Sequence, residues 1–231
     1  MSENSRKGTV LVTGGTRRIG KSIADTLRGA GWNVLTSSHR KDSDADFIHD
    51  FSDPSGPVKL YAAALAAAPR DFCAVVNNAA LFTGDPAVLE AVNLTAPRKL
   101  TMLIAGREGV RKKCSVVNIL DSKMLGPSGP SDTAYAKTKR ELFSDTRKYA
   151  ALFAQTLRVN AVAPGPVLPP EGVREPAGET LLDRRPAPED VASAVLYLLE
   201  AESVTGVVIP VDAGQHLLLP SQPFAQREVV V

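Results

Sequence analysis

Two hydrophobic rhythms alternate along this chain. Short runs dense in β-branched and apolar residues occur at 9–13, 33–37, 72–77, 115–120, 156–162 and 207–211, with a shorter one at 46–49. Each is too short for a helix, and each predicts a strand. Between them apolar residues recur every three or four positions: Ile19, Ile23 and Leu27; Val58, Tyr61 and Leu65; Val88, Val92, Leu100, Leu103 and Ile104; Leu142, Thr146, Tyr149 and Phe153; Val191, Val195, Leu198 and Leu199. That spacing is the buried stripe of an amphipathic helix. The third helix runs roughly over 87–105, and Pro97 inside it predicts a kink with a freed carbonyl. The run 72–77 is uninterrupted, which places it centrally in a parallel sheet. Seven strands alternating with helices predict an α/β fold, a single doubly wound Rossmann-type domain on a seven-stranded parallel sheet. No repeat or boundary divides residues 1–231. Residues 1–7 and 220–231 read as flexible tails, and the proline-rich 166–188 as a mobile substrate loop.

Composition then removes several classes of function. The chain has 231 residues, 44% of them hydrophobic, with 27 basic against 25 acidic side chains and a net charge of +2. That balance carries no electrostatic case for nucleic acid or an anionic membrane. The densest basic run, 107–113, follows a helical pattern and reads as a solvated helix end. The two cysteines, Cys73 and Cys114, adjoin apolar runs and read as buried free thiols. Three scattered histidines and the absence of C-x-x-C or H-E-x-x-H give no metal site. The polar N-terminus lacks a signal core, and no apolar run approaches the ~18 residues of a membrane span. These features fit a reducing cytoplasm, where the sequon Asn93-Leu94-Thr95 has no meaning.

The first strand ends in Thr13-Gly14-Gly15-Thr16-Arg17-Arg18-Ile19-Gly20. A strand feeding a helix through glycines leaves free N–H groups at a positive helix end, a seat for phosphate. Gly14 and Gly20 allow close backbone approach. Taken alone, a Gly-Gly pair is as readily a tight turn that binds nothing, and the spacing is not G-x-G-x-x-G. The second strand ends at Ser38-His39-Arg40-Lys41, where a βαβ nucleotide fold meets the adenosine ribose. Basic groups there, with Arg17 and Arg18 from the neighbouring turn, favour a 2′-phosphate and hence NADPH over NADH, although the stretch taken alone is as readily a solvated basic loop. Asp50, followed by Phe51, is placed to accept from an adenine amino group; equally, Asp53-Pro54 with Ser52 simply starts the next helix. Small residues follow the fourth strand at Asn78, Ala79 and Ala80, suited to a flat ligand. Tyr135 and Lys139 are four apart on one helix and share a face. A nearby ammonium, plus a positively charged nicotinamide, favours the phenolate and is expected to lower the tyrosine pKa, letting it hand a proton to a carbonyl or imine, although a surface Tyr and Lys on an amphipathic helix are common and alone decide nothing.

Together these pieces resemble the short-chain dehydrogenase/reductase family from about Lys7 to Leu219. The resemblance rests on Thr13-Gly14 to Gly20, Asp50, Asn77-Asn78-Ala79, Asn93, Asn118 to Asp121, Tyr135-x-x-x-Lys139, Asn160 to Gly165 and Val211-Asp212-Ala213-Gly214. Within it, Arg18 in place of a usual glycine, the pair His39-Arg40, Asn118-Ile119-Leu120-Asp121, Phe82 and the segment Pro164-Gly165-Pro166-Val167-Leu168 are similar to pteridine reductases, including the dihydromonapterin reductases. That resemblance implies NADPH as cofactor, held by Gly14, Thr16, Arg17, Arg18, Ile19, Gly20, His39, Arg40, Lys41, Asp50, Phe51, Asn78, Ala79, Ala80, Tyr135, Lys139, Pro164, Gly165 and Val167. It implies Tyr135 as proton donor, Lys139 tuning it and holding the ribose, and Asp121 passing a proton toward the substrate. Asn93 would keep the helix kink that positions Lys139 through water. Arg18, Phe82, Asp121, Tyr135 and Leu168 would bind the substrate, with Phe82 stacking on a pterin.

Counting back from Tyr135 places the family's serine position at Ser122, whereas counting from Asn118 places it at Asp121. The reading is therefore an NADPH-dependent reductase acting on a small molecule, a dihydropterin. The alternative is a ketone or 3-oxoacyl thioester reductase using Ser122, Tyr135 and Lys139, and a third is a non-catalytic NADPH sensor. Family members assemble as tetramers or dimers, which implies a homotetramer or homodimer.

Overall fold

The computed structural model describes residues 7–107, 114–126, 132–169, 174 and 179–218. β1 (Thr9–Thr13) is buried along its whole length and receives a parallel strand on either side. Those are β2 (Asn33–Ser38) and β4 (Phe72–Asn77), and every residue of β4 is buried as well. The remaining strands are β3 (Phe47–Ile48), β5 (Cys114–Ile119), β6 (Leu157–Pro164) and β7 (Val208–Val211). They form one parallel sheet in the order β3-β2-β1-β4-β5-β6-β7, so the apolar run 72–77 does lie in its middle. The strand order reverses between β1 and β4, and the crevice at such a point is where open α/β sheets bind ligands.

The helices form two packed groups. α1 (Arg18–Gly29) lies against α6 (Pro188–Glu200), while α2 (Gly56–Ala67) packs on α4 (Ala96–Ala105), which also meets α5 (Ala134–Leu152). The stripe Ile23 and Leu27 is fully buried, as are Val191, Val195 and Leu198. In α2 the expected stripe is off by a step: Leu60 and Ala64 are buried, whereas Val58 is exposed and Tyr61 and Leu65 are half-buried. This helix is apolar nearly all round, so its periodicity does not single out a face.

The expected kinked helix over 87–105 is three segments. α3 (Pro86–Glu90) runs into a π-helical turn, Ala91–Thr95, and only then into α4. Pro97 sits in the first turn of α4, where its missing N–H costs little, so the distortion lies in the turn before it. Cys73 and Cys114 are buried free thiols, and burial pushes Cys114 up to about 11. Arg107 donates to the carbonyls of Phe72 and Pro69, so it closes the N-terminal end of β4 rather than trailing in solvent. Residues 1–6, 108–113, 127–131, 170–173 and 175–178 of the 166–188 loop, and 219–231 lie outside the described residues. No described helix is long and apolar enough to cross a membrane.

Candidate active site

The turn after β1 is laced to the end of β4. Asn78 Nδ2 donates to the carbonyls of Thr13 at 2.9 Å and Gly14 at 3.1 Å. Thr13 Oγ1 in turn accepts the N–H groups of Asn78 and Ala79, both at 3.0 Å. Gly14 has φ +63°, and a Cβ there would press to 3.2 Å of Ala79 Cα. A Cβ on Gly20 would reach 2.1 Å from the Gly14 carbonyl oxygen, so glycine is needed for the turn to close at all. Thr16 and Ile19 are half-buried beside it. No acidic side chain occupies the first turn of α1, so its positive end is left uncompensated.

Arg18 also takes a left-handed backbone, φ 52°, a conformation that glycine would adopt with less strain. Its guanidinium spans to the segment beyond β6 and donates to the Pro169 carbonyl at 2.7 Å. The phosphate turn and the start of the 166–188 loop are thereby tied together.

At the end of β2, His39, Arg40 and Lys41 are exposed. Arg40 forks onto both oxygens of Asp42 at 3.2 and 3.1 Å, and that guanidinium holds the Asp42 carboxyl below its ordinary value. Asp50 uses one oxygen to accept from Ser52 N–H at 2.8 Å. The Phe51 side chain is buried in the core, leaving only its backbone for a ligand.

The reacting end gathers β5, α5 and the segment after β4. Asp121 caps the 3-10 turn Ser122–Met124 by accepting Lys123 N–H at 2.9 Å. Its other oxygen accepts the Tyr135 hydroxyl at 3.1 Å. Ser122 is 1% exposed, and its hydroxyl has no partner among the described residues. Phe82 is 69% exposed yet stacks on the Tyr135 ring, with centroids 4.7 Å apart and planes at 28°. An aromatic ring left mostly in water at this place is a surface offered to another flat group. Lys139 is buried; its Nζ lies 5.8 Å from the Tyr135 centroid and donates to the Ile119 carbonyl at 2.7 Å.

One expectation changes here. The Tyr135 phenol is raised well above its ordinary value, first by burial and then by the Asp121 carboxylate. Burial brings Lys139 down to about 8. The free protein therefore holds Tyr135 protonated. Asn93, 1% exposed in the π-helical turn, grips Leu81 reciprocally, its Oδ1 accepting Leu81 N–H and its Nδ2 donating to Leu81 C=O, both at 2.8 Å. Nδ2 also lies 3.4 Å from Thr138 Oγ1. Asn93 thus anchors the segment carrying Phe82 and touches the turn between Tyr135 and Lys139, while Lys139 is held by Ile119. The π-helical turn is what lets a helical side chain face that segment.

Pro164 and Gly165 end β6; Val167 is buried and Leu168 half-buried against the core. A Cβ on Gly165 would reach 2.4 Å from Asp212 Cβ. Asp212 and His216 form a cluster there to which sequence reasoning assigned no role, although Val211-Asp212-Ala213-Gly214 was part of the recognised pattern. No group of acidic, histidine or cysteine residues suited to a metal occurs among the described residues.

The comparisons with known proteins agree with this arrangement. Residues 14–216 match the family model described as enoyl-(acyl carrier protein) reductase. The 3-oxoacyl-(acyl-carrier-protein) reductase FabG of Thermotoga maritima is 30% identical, covering 88% of this chain and 96% of that protein. Dihydromonapterin reductase of Shigella sonnei is 26% identical, covering 90% of this chain and 96% of that protein. The crystal structure of FolM alternative dihydrofolate reductase 1 from Brucella canis, complexed with NADP, superposes with a TM-score of 0.82 at 29% identity, covering 97% of this chain and all of that one. The chain belongs to the short-chain dehydrogenase/reductase family and is an NAD(P)-dependent oxidoreductase. Its residues fit the dinucleotide: a left-handed Gly14, a helix start with no acidic residue in its first turn and exposed basic side chains just past β2 all lie at the C-terminal ends of adjacent strands.

Proposed function

We propose that this protein reduces a dihydropterin to a tetrahydropterin with NADPH. The observation that carries the reading is the placement of Asp121 and Phe82 around one phenol: a carboxylate receives the Tyr135 hydroxyl while an exposed aromatic ring stacks on its ring. A carboxylate suits a ring bearing amino and imino N–H donors, and the aromatic face suits a planar heterocycle. The Shigella and Brucella relatives, named for reductions of dihydropterin-type substrates, support the same class.

NADPH supplies the hydride when bound. The turn 14–20 would hold its diphosphate, and His39, Arg40 and Lys41 its 2′-phosphate. Arg40 would exchange Asp42 for that phosphate, a stronger bidentate acceptor. Tyr135, kept protonated, holds the proton the substrate nitrogen needs at Oη. Lys139 keeps a positive charge beneath that oxygen as it becomes negative. Asp121 both orients the hydroxyl and binds the substrate's donors, and Arg18 meets the cofactor phosphate and the substrate edge.

A second reading, reduction of a 3-oxoacyl thioester, is favoured by the Thermotoga relative and by the description of the matching family. In it the unpartnered Ser122 hydroxyl would turn toward the substrate carbonyl. The deciding experiment follows NADPH oxidation, with NADH as control, on dihydrobiopterin and on a 3-oxoacyl thioester. Turnover of the pterin, lost in Phe82→Ala and in Asp121→Ala, is the expected result. Turnover of the thioester alone, sensitive to Ser122→Ala and indifferent to Phe82→Ala, overturns the pterin reading.

A further inference from the structure

We propose that the Asp212–His216 pair is a positioning device for the reduction site, holding the turn that presents Asp121 to Tyr135. The proposal rests on the reductase reading but on neither substrate in particular. Asp212 lies just beyond β7 and is 2% exposed. Its carboxylate accepts Gly214 N–H at 3.1 Å and His216 N–H at 2.7 Å, and His216 Nδ1 lies 3.0 and 2.8 Å from its two oxygens. Nδ1 must carry the hydrogen for that contact to be attractive. The backbone is bent to make it: Ala213 and Gly214 are both left-handed, at φ 53° and 79°, and the first has a Cβ. Such a conformation costs on the order of 1 kcal/mol or more at a non-glycine residue and persists where surrounding contacts hold it.

Those contacts converge on the site. The 3-10 turn Gln215–Leu217, which carries His216, packs on the 3-10 turn Ser122–Met124 that Asp121 caps. The His216 carbonyl lies over Gly126, where a Cβ would sit 3.4 Å away. Asp212 Cβ and the unpartnered Ser122 hydroxyl flank Gly165, at 2.4 and 3.4 Å from the point its Cβ would occupy. The Ala213 carbonyl accepts Leu181 N–H and Leu182 N–H, at 2.9 and 3.1 Å. One Asp212–His216 hydrogen-bond geometry therefore sets the height of 122–126, the anchorage of 181–182 and, through the cap, the place of the carboxylate that receives the Tyr135 hydroxyl. Packed elements of this kind transmit small displacements directly.

The test uses the full chain with His216→Ala and His216→Gln; a glutamine keeps an N–H donor four residues from Asp212. Steady-state kinetics use whichever of dihydrobiopterin or the 3-oxoacyl thioester the unmodified protein reduces. The expected result for His216→Ala is a kcat/KM for that substrate lowered roughly tenfold, through a raised KM and a lowered kcat together, with NADPH affinity within about twofold. His216→Gln is expected to restore most of the kcat/KM. Hydrogen exchange supplies a readout that needs no substrate: the amides of Lys123, Met124, Leu125, Leu181 and Leu182 exchange faster in His216→Ala while those of β1 and β4 do not. Unchanged kcat/KM with only a lowered melting temperature, or exchange raised uniformly, overturns the proposal, as does a glutamine variant no better than alanine. Should alanine prevent folding, a glutamine variant with altered kcat/KM or altered 123–125 exchange overturns it equally. If the unmodified protein reduces neither substrate, the reductase reading fails, and the exchange data still decide the positioning role.

Discussion

Lys139 is a charged residue folded into a place that disfavours its charge, and this gives the free protein a definite pH signature. Its ordinary pKa is about 10.4 in an unfolded chain, and burial lowers it to about 8 in the folded one. Between those values the unfolded chain binds a proton that the folded chain does not, so Lys139 makes stability rise with pH across that window. Below pH about 8 its full cost is present. Lys139→Met removes this contribution. Urea unfolding from pH 7 to 10 should show the unmodified protein gaining on the variant by on the order of 1–3 kcal/mol; parallel curves would mean that the ammonium is not depressed. Tyr135→Phe addresses the other half of the pair. It removes the proton donor without touching the turn 14–20, so turnover should fall by roughly 10²–10⁴, far more than NADPH binding, followed by fluorescence, is weakened by loss of one of its many contacts.

At the scale of elements, polar side chains that reach between segments do the holding. Asn93 replaces two backbone partners that Leu81 would otherwise lack. Asn93→Ala should lower stability by about 1–3 kcal/mol and raise hydrogen exchange through 81–83, with a loss of turnover that exceeds the loss of folded protein. Arg158 does the same for α6: though buried in β6, it donates to the carbonyls of Leu198, Leu199 and Val204 and closes that helix's C-terminus, where a cation also complements the dipole. Arg158→Met keeps most of the volume but orphans those carbonyls, and chemical denaturation should show a loss of at least about 2 kcal/mol. Neither role was legible in the sequence, because one asparagine or arginine in an apolar stretch names no partner. The strands were legible, since their runs are short, apolar and bounded by breakers. The π-helical turn was not: its composition, Ala-Val-Asn-Leu-Thr, is ordinary for an α-helix, and only the demand of Leu81 for two hydrogen bonds distinguishes it. The sign of the Tyr135 shift was missed for a related reason, because helical spacing shows Lys139 but not the depth of burial or the carboxylate across the cleft.

At the scale of the whole molecule, the motifs recognised along the chain meet along one edge because parallel strands all end on the same side. That convergence was readable from strand–helix alternation. The segments that close the edge, the 122–126 turn and the chain beyond β7, required coordinates, since their register depends on contacts between residues some ninety positions apart. A ligand spanning that edge links β1, β2, β4 and β5 and should stabilise them together. At a hundred times its dissociation constant, NADPH should add about 2.7 kcal/mol and raise the melting temperature by roughly 5–10 °C; NADH at the same concentration should do markedly less. The strand order has a further consequence, for how the protein is made. β4 completes its pairing with β1 as it emerges, but its other flank stays open until β5 is synthesised. A ribosome adding 5–20 residues per second takes about 2–8 s over the intervening forty or so. During that interval Phe72-Cys73-Ala74-Val75-Val76, uncharged and without proline, is an open template for strand pairing with a neighbouring nascent chain. Yield on rapid overexpression should therefore be limited at this step, and a charge at that strand would improve it only by disrupting the centre of the sheet.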